Sequence, residues 1–222
     1  MLLRTITIAV ALVCIFAYQA SAGEITPYGT FNYKWSNDEN SSGVSTNKLE
    51  DNGSKIGLDI VEPSLEGSSI GAFAKLEVGV DTDDSGSDTF DSRLAFVGLS
   101  TSAGDVSLGR QSHPFTDTIS GHTDVFNVYG SNADFNYASR SSNTIAYSNE
   151  ANGITFSALG LVNGTEGAND QDGIDEYEWA ASTELLGSKV SIGYADDINN
   201  DISYWGAGAT SELGPITIGS TY

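Results

Sequence analysis

The stretch 92-SRLAFVGLSTSAGDVSLGRQ-111 decides the fold. Apolar residues alternate with small or polar ones from Ser92 to Thr101, a turn follows at Ser102-Ala103, and alternation resumes from Gly104 to Ser112. Side chains on a strand point to opposite faces with a period of two, so the segment reads as a β-hairpin with strands at 92–101 and 104–112. The alternation places Arg93 on one face and Leu94 and Phe96 on the other. By the same parity Arg110 shares the face of Val106 and Leu108, which makes it a structural or subunit-contact residue near the strand end.

The same rhythm extends in both directions. It predicts strands at 25–35, 54–62, 68–80, 142–150, 153–163, 174–186, 189–197, 201–212 and 215–222, about eleven in all. The connections alternate in length. Long polar segments (36–53, 81–91, 113–141, 164–173) take turns with short ones (63–67, 102–103, 151–152, 187–188, 213–214), and only 198–200 is brief where a long one is expected. Long loops at one end and short turns at the other are the signature of a transmembrane, antiparallel, up-and-down β-barrel of the outer-membrane type. The faces agree. Ile56 and Leu58 oppose Lys55 and Asp59; Ala74, Leu76, Val78 and Val80 oppose Lys75 and Glu77; Tyr177, Trp179, Ala181 and Leu185 oppose Glu176, Glu178, Ser182 and Glu184; Val190, Ile192 and Tyr194 oppose Lys189 and Ser191. A dry interior does not hold so many charges, since each unpaired one costs several kcal/mol. The interior is therefore expected to be wet, with Arg93 in the lumen and Leu94 and Phe96 against lipid. Tyr28, Phe31, Tyr33, Trp35, Tyr177, Trp179 and Tyr204 are candidates for the aromatic girdles. Trp205 falls on the expected inner face, an exception to the pattern.

Composition supports strands and export. The 222 residues include 25 Gly and only 4 Pro, with 39% hydrophobic residues. Residues 1–22 carry Arg4, an apolar run from Ile6 to Ala17 and the small-residue end Ala20-Ser21-Ala22, which is the pattern of a cleaved signal peptide. Cys14 lies within it, but Val13 precedes the cysteine where a lipoprotein signal needs a small residue. The mature chain, 23–222, then has no cysteine. Removing Arg4 leaves eight basic residues against 30 acidic ones, a net charge of −22, compared with −21 for the whole chain. That charge argues against nucleic acid and anionic lipid as partners. Past the signal no apolar run reaches the ~18 residues of a membrane helix, so only a closed barrel can cross a bilayer.

The quoted hairpin, followed by HPFTDTISGHTDVF, resembles the Gram-negative general porins, in which an RLAF-x-GL strand, a turn and a G-x-x-x-x-GR strand lead into a long loop. The likeness runs from Gly23 to about Gly160 and rests on strand rhythm beyond that. It implies a trimeric, sixteen-stranded outer-membrane barrel, seated in bilayer and lipopolysaccharide, that passes ions and small hydrophilic solutes. It also implies that the third loop, here 113–141, folds inward, so that wall cations face loop acids. Carried over position by position, Arg93 and Arg140 match wall arginines, Lys55 a basic residue of the second strand and Glu77 an inward acid of the third. In the loop, Asp124 matches the family's acid most closely, Asp117 is a second candidate and Asp134 a third. The family's later Pro-Glu-Phe turn is replaced by Asn127-Val128-Tyr129-Gly130. Eleven is an odd count, whereas a barrel with both ends in the periplasm needs an even one; the sequence reading favours a chain that stops before closure over a miscount.

Other chemistry is weaker. Asp81, Asp83, Ser85 and Gly86 fit the first half of a calcium loop, but Ser92 occupies its twelfth position; the segment reads as an acidic surface loop, with no metal or cofactor expected. His113 and His122 lie near Ser112, Ser120 and Asp124, so a hydrolase stands as a minor alternative to a non-enzymatic pore. A soluble exported β protein with a binding or adhesive role is another.

Overall fold

In a computed structural model the protein is described over residues 23–62, 68–83, 88–124, 138–162 and 173–222. The described strands are β1 (Glu24–Thr30), β2 (Tyr33–Glu39), β3 (Ser45–Asp51), β4 (Lys55–Glu62), β5 (Gly71–Val80), β6 (Phe90–Thr101), β7 (Gly104–Ser112), β8 (Arg140–Ala151), β9 (Ile154–Leu161), β10 (Glu176–Leu185), β11 (Ser188–Asp197), β12 (Ile202–Leu213) and β13 (Ile216–Thr221). A short helix α1 (Pro114–Ile119) and a 3-10 turn (Ser120–His122) follow β7. Eleven strands form one antiparallel sheet in the order β1-β4-β5-β6-β7-β8-β9-β10-β11-β12-β13, each paired with its neighbour in the chain apart from the β1–β4 step. β1 and β13 are its edges. Among the described residues no helix is long and apolar enough to cross a membrane.

Tight turns set the register at one end. Asn152-Gly153 and Leu186-Gly187 have both central residues at positive φ, 54° and 75° in the first and 53° and 79° in the second, the mirror-image turn whose twist matches paired strands. The outer face is greasy. Ile56, Leu58, Leu76, Val78, Leu99, Val106, Leu108, Ile145 and Ile192 are all exposed. In water so large an apolar surface would be untenable, whereas against lipid it is the required surface.

The structure corrects four sequence expectations. First, the polar segment 36–53 is largely a hairpin: β2 and β3 pair from Tyr33↔Asp51 to Glu39↔Ser45 as a separate two-stranded sheet. The strand expected at 25–35 therefore ends at Thr30, and Tyr33 and Trp35 belong to this hairpin and not to a girdle. Second, Leu94 and Phe96 face inward. A bulge at Glu77/Val78 pairs Leu94 with Glu77 and Ser92 with Val78, leaving Arg93 as the extra residue. One inserted residue moves everything beyond it to the other face, so Ala95, Val97 and Leu99 are the outward set. Third, Trp205 points outward, paired with Tyr194 in register. It joins a continuous chain of outer aromatics, Tyr147–Phe156–Trp179–Trp205–Tyr194–Tyr177, with successive centroids 6.5, 6.4, 6.0, 4.6 and 6.0 Å apart. Fourth, Tyr28 and Tyr204 are inward residues: Tyr28 donates to Glu77 and Tyr204 packs against Phe115.

Candidate functional site

The inner face of β1, β4, β5 and β6 is built around one carboxylate. In register Tyr28, Gly57 and Glu77 lie side by side, so their side chains share that face. Glu77 is 4% exposed. Arg93 Nε donates to its Oε1 at 2.6 Å, Tyr28 Oη donates to its Oε2 at 2.9 Å, and Lys55 Nζ lies 3.4 Å from Oε2. Three donors on a buried carboxylate hold it ionised and fix the two cations above it. Next to this group, Lys75 pairs with Asp59 at 2.8 Å and sits over the Tyr28 ring at 4.8 Å. Arg140, the first residue of β8, is in electrostatic range of Arg93, Arg110, Glu77 and Asp117. Two cations held by Glu77, with Arg140 beside them, leave the cluster positive. Arg110 lies on the outward parity, its Nε donating to the Ser92 carbonyl at 3.1 Å and its Nη1 to Ser142 Oγ at 3.3 Å, so it ties the irregular ends of β6 and β8 together.

The segment after β7 turns onto the inner face of the opposite wall. Pro114 begins α1, where its missing N–H costs nothing. Phe115 and Ile119 are fully buried and pack with Ala195 and Tyr204. The wall beneath is hollowed by glycine. A Cβ on Gly193 or Gly206 would press on Phe115 and Ile119, one on Gly208 would strike the His122 ring, and one on Gly219 would strike the His122 carbonyl. His122 is clamped on both nitrogens, Nε2 to Ser191 Oγ and Nδ1 to Thr210 Oγ1, each at 2.6 Å. Because Ser191 spends its proton on the Thr118 carbonyl, Nε2 carries the ring hydrogen and Nδ1 accepts from Thr210. Burial, reinforced by Lys189, lowers the His122 pKa and keeps the ring neutral. At the start of the segment His113 Nδ1 lies 3.0 Å from Glu178 Oε1, and Glu178 Oε2 accepts the Phe115 amide at 3.2 Å.

This packing holds Asp117 out over the cavity. Its side chain is solvent-accessible but has protein on its other sides; that crowding raises its pKa, outweighing the hydrogen bond from Ser112 and the attraction of Arg140 and His113. Asp117 and Arg140 lie within electrostatic range of each other. Asp124 is exposed at the end of the 3-10 turn, its amide bonded to the Ser120 carbonyl; no ion pair of the described residues includes it. Asp134, Asn127-Val128-Tyr129-Gly130, Ser85, Gly86 and the leader 1–22 lie outside the described residues. Among the described residues no group of three or more His, Cys, Asp or Glu is placed to hold a metal ion.

Over residues 7–222 the sequence matches the family described as Gram-negative porin. The chain belongs to that family. No curated protein matches it. Solved structures share the porin fold: OmpF of Salmonella typhi in complex with daunomycin superposes at TM-score 0.66 with 17% identity, covering 90% of this chain and 65% of that one. A loop-deletion mutant of OmpT, an outer membrane protein of Vibrio cholerae, gives 0.64 at 16%, covering 90% and 68%. A mutant of the Rh. blastica porin gives 0.65 at 16%, covering 89% and 73%. The chain thus spans about two thirds of the length of these porins, and family and strand architecture place it in the outer membrane.

In this porin the two ring nitrogens of His122 meet Thr210 and Ser191, neither of them a residue that the sequence set beside it. His113 Nε2 instead meets Ser141 Oγ at 2.8 Å, so Ser141, His113 and Glu178 stand in the order nucleophile, base and orienting acid. His113 and Glu178 are buried, and the chain of contacts joins β8, the loop and β10, as a structural tie does. Sequence reasoning put Glu178 on the inner face without its partner His113, and passed over the glycines. Gly206 and Gly208 alternate with the outward Trp205 and Ala207, and a glycine spaced by two on an inner face signals a close approach.

Proposed function

We propose that the protein forms a water-filled pore through which ions and small hydrophilic solutes diffuse passively. One observation supports this above all: the cations Lys55, Arg93 and Arg140 stand on one inner wall, and Asp117 is presented towards Arg140 by a helix packed on the other. Cations facing an acid across water set a transverse field that lets polar solutes reorient and slows apolar ones. Asp124 adds negative charge to the same loop. On this reading residues 113–141 form the constriction, the subunits assemble as homotrimers in bilayer and lipopolysaccharide, and no reaction is catalysed.

The test is planar-bilayer conductance of the full-length protein. Stepwise openings are expected, and Arg93→Glu should move the reversal potential towards stronger cation preference. Detergent-stable, folded protein that never conducts would overturn the pore. The Ser141–His113–Glu178 arrangement favours one second reading, an esterase; hydrolysis of an aryl ester that disappears in Ser141→Ala would establish it in place of the inert tie.

A further inference from the structure

Two phenylalanines stand where the charged wall would least be expected to carry them. Phe73 and Phe96 face inward and meet edge to face, centroids 6.3 Å apart at 80°. Phe96 is there because the bulge at Arg93 reverses its parity, and Phe73 lies flat because Gly98 opposite it has no side chain for the ring to strike. Neither ring belongs to the apolar cluster beneath the loop, which comprises Phe115, Ile119, Ala195 and Tyr204. They line a recess of about 330 Å³ beside α1, whose described lining includes the polar residues Asp105, Asp117, Gln111 and Ser148 and no lysine or arginine among the described residues. Gln111 is committed, accepting from Ser107 at 2.6 Å and donating to Thr144 at 2.9 Å. Asp105 takes a hydrogen bond from Ser100, which leaves its other oxygen for a further donor. The inward cation in register with the rings is Lys75, opposite Phe96, and its ammonium is turned away to Asp59 and the Tyr28 ring; Arg140 acts on Asp117 from β8, which leaves Asp105 as the carboxylate with no cation among the described residues set against it.

Phenyl rings beside carboxylates, with no lysine or arginine among the described lining residues, suit a solute that carries both positive charge and a flat apolar body. We propose that this recess is a subsite that detains monovalent organic cations bearing an aromatic group, with the ring against Phe73 and Phe96 and the ammonium held by Asp105 and Asp117. The proposal rests on the pore reading and adds the solute class that dwells in the channel.

Benzyltrimethylammonium, added to the full-length protein conducting KCl in a planar bilayer, should reduce current at a lower concentration than tetramethylammonium. Benzenesulfonate, with the same ring and the opposite charge, should not. The Phe73→Leu, Phe96→Leu double variant, read against its own KCl conductance, should raise the half-blocking concentration of benzyltrimethylammonium about fivefold and leave that of tetramethylammonium in place. Phe96→Tyr, which keeps the ring face, should retain the block, and Asp105→Asn should weaken both ammonium ions. A half-blocking concentration indifferent to the leucine pair, or equal block by the sulfonate, overturns the subsite while leaving the pore intact. If the wild type does not conduct, the pore reading fails, and equilibrium dialysis of benzyltrimethylammonium against detergent-solubilised wild type and Asp105→Asn then decides the subsite: equal uptake overturns it.

Discussion

The inner wall of β4–β6 and that of β10–β13 face the same cavity and are built on opposite principles. On the first, long charged side chains are held in place by one another: Arg93, Lys55 and Tyr28 converge on Glu77. Water reaches the cations, and on the proposed pore reading their value is their field. On the second, side chains are removed. Glycine at 193, 206, 208 and 219 and alanine at 195 make a floor on which Phe115, Ile119 and His122 lie. On that reading one wall acts through charge and the other through shape, and each depends on the other, because only a firmly seated loop keeps Asp117 within electrostatic range of Arg140.

The contrast predicts that stability resides on the glycine floor and selectivity on the charged wall. The largest expected effect is Phe115→Ala, which empties a fully buried site and should destabilise the docked loop by about 3–5 kcal/mol, seen as a lower thermal midpoint in detergent and noisier single-channel current. Arg93→Gln should instead shift the reversal potential with a smaller loss of stability, because Lys55 and Tyr28 still hold Glu77. Equal loss of stability in both variants would break the distinction. Next in size is Gly208→Val, whose side chain collides with the His122 ring and should cost about 1–3 kcal/mol. Gly121→Ala, with open space around the added carbon, is the control and should leave the melting temperature unchanged. A tolerated valine at 208 would show that the loop is not seated as described.

The division between field and shape also marks what was legible beforehand. Charged inner and greasy outer faces survive in the sequence as a period of two, so Lys55 and Glu77 could be placed by parity alone, whereas Arg93 points inward together with Leu94 only because it is the bulged residue. Parity fails wherever a residue is inserted, and nothing in Ser92-Arg93-Leu94 announces the bulge that turns Phe96 inward. The hairpin of β2 and β3 was hidden for another reason: from Ser36 to Asp51 only Val44 and Leu49 are apolar, so no alternation marks its strands and the segment reads as loop. The floor was hidden because glycine leaves no hydropathy signal; Gly206 and Gly208 become meaningful once it is known what lies on them. Tyr204 and Trp205 put one aromatic on each face whichever way β12 is read, and only the register with Ala195 and Tyr194 decides which faces out.

The smallest expected effect lies where the two walls meet. Crowding holds the Asp117 pKa above its ordinary 3.8, so the native state takes up a proton there more readily than the unfolded chain. Ionising Asp117 therefore costs the folded protein; that cost is present at neutral pH and is relieved as pH falls through the raised value, so acidification to this point should not unfold the loop. It should remove the loop charge facing Arg140, and cation preference should fall in a step centred above pH 3.8. Asp51, on the β2–β3 hairpin, behaves oppositely. Slight burial raises its pKa, but hydrogen bonds from Ser54, Thr82 and the Gly53 amide outweigh that and bring it down to about 2, so it stays charged throughout and its contribution to folding is lost only as pH falls below 3.8 towards that value. The reversal potential measured from pH 7 to pH 3 should show the step in the wild type and lack it in Asp117→Asn. A step that survives the substitution would move the selectivity charge off α1, and with it the claim that the glycine floor exists to aim that carboxylate.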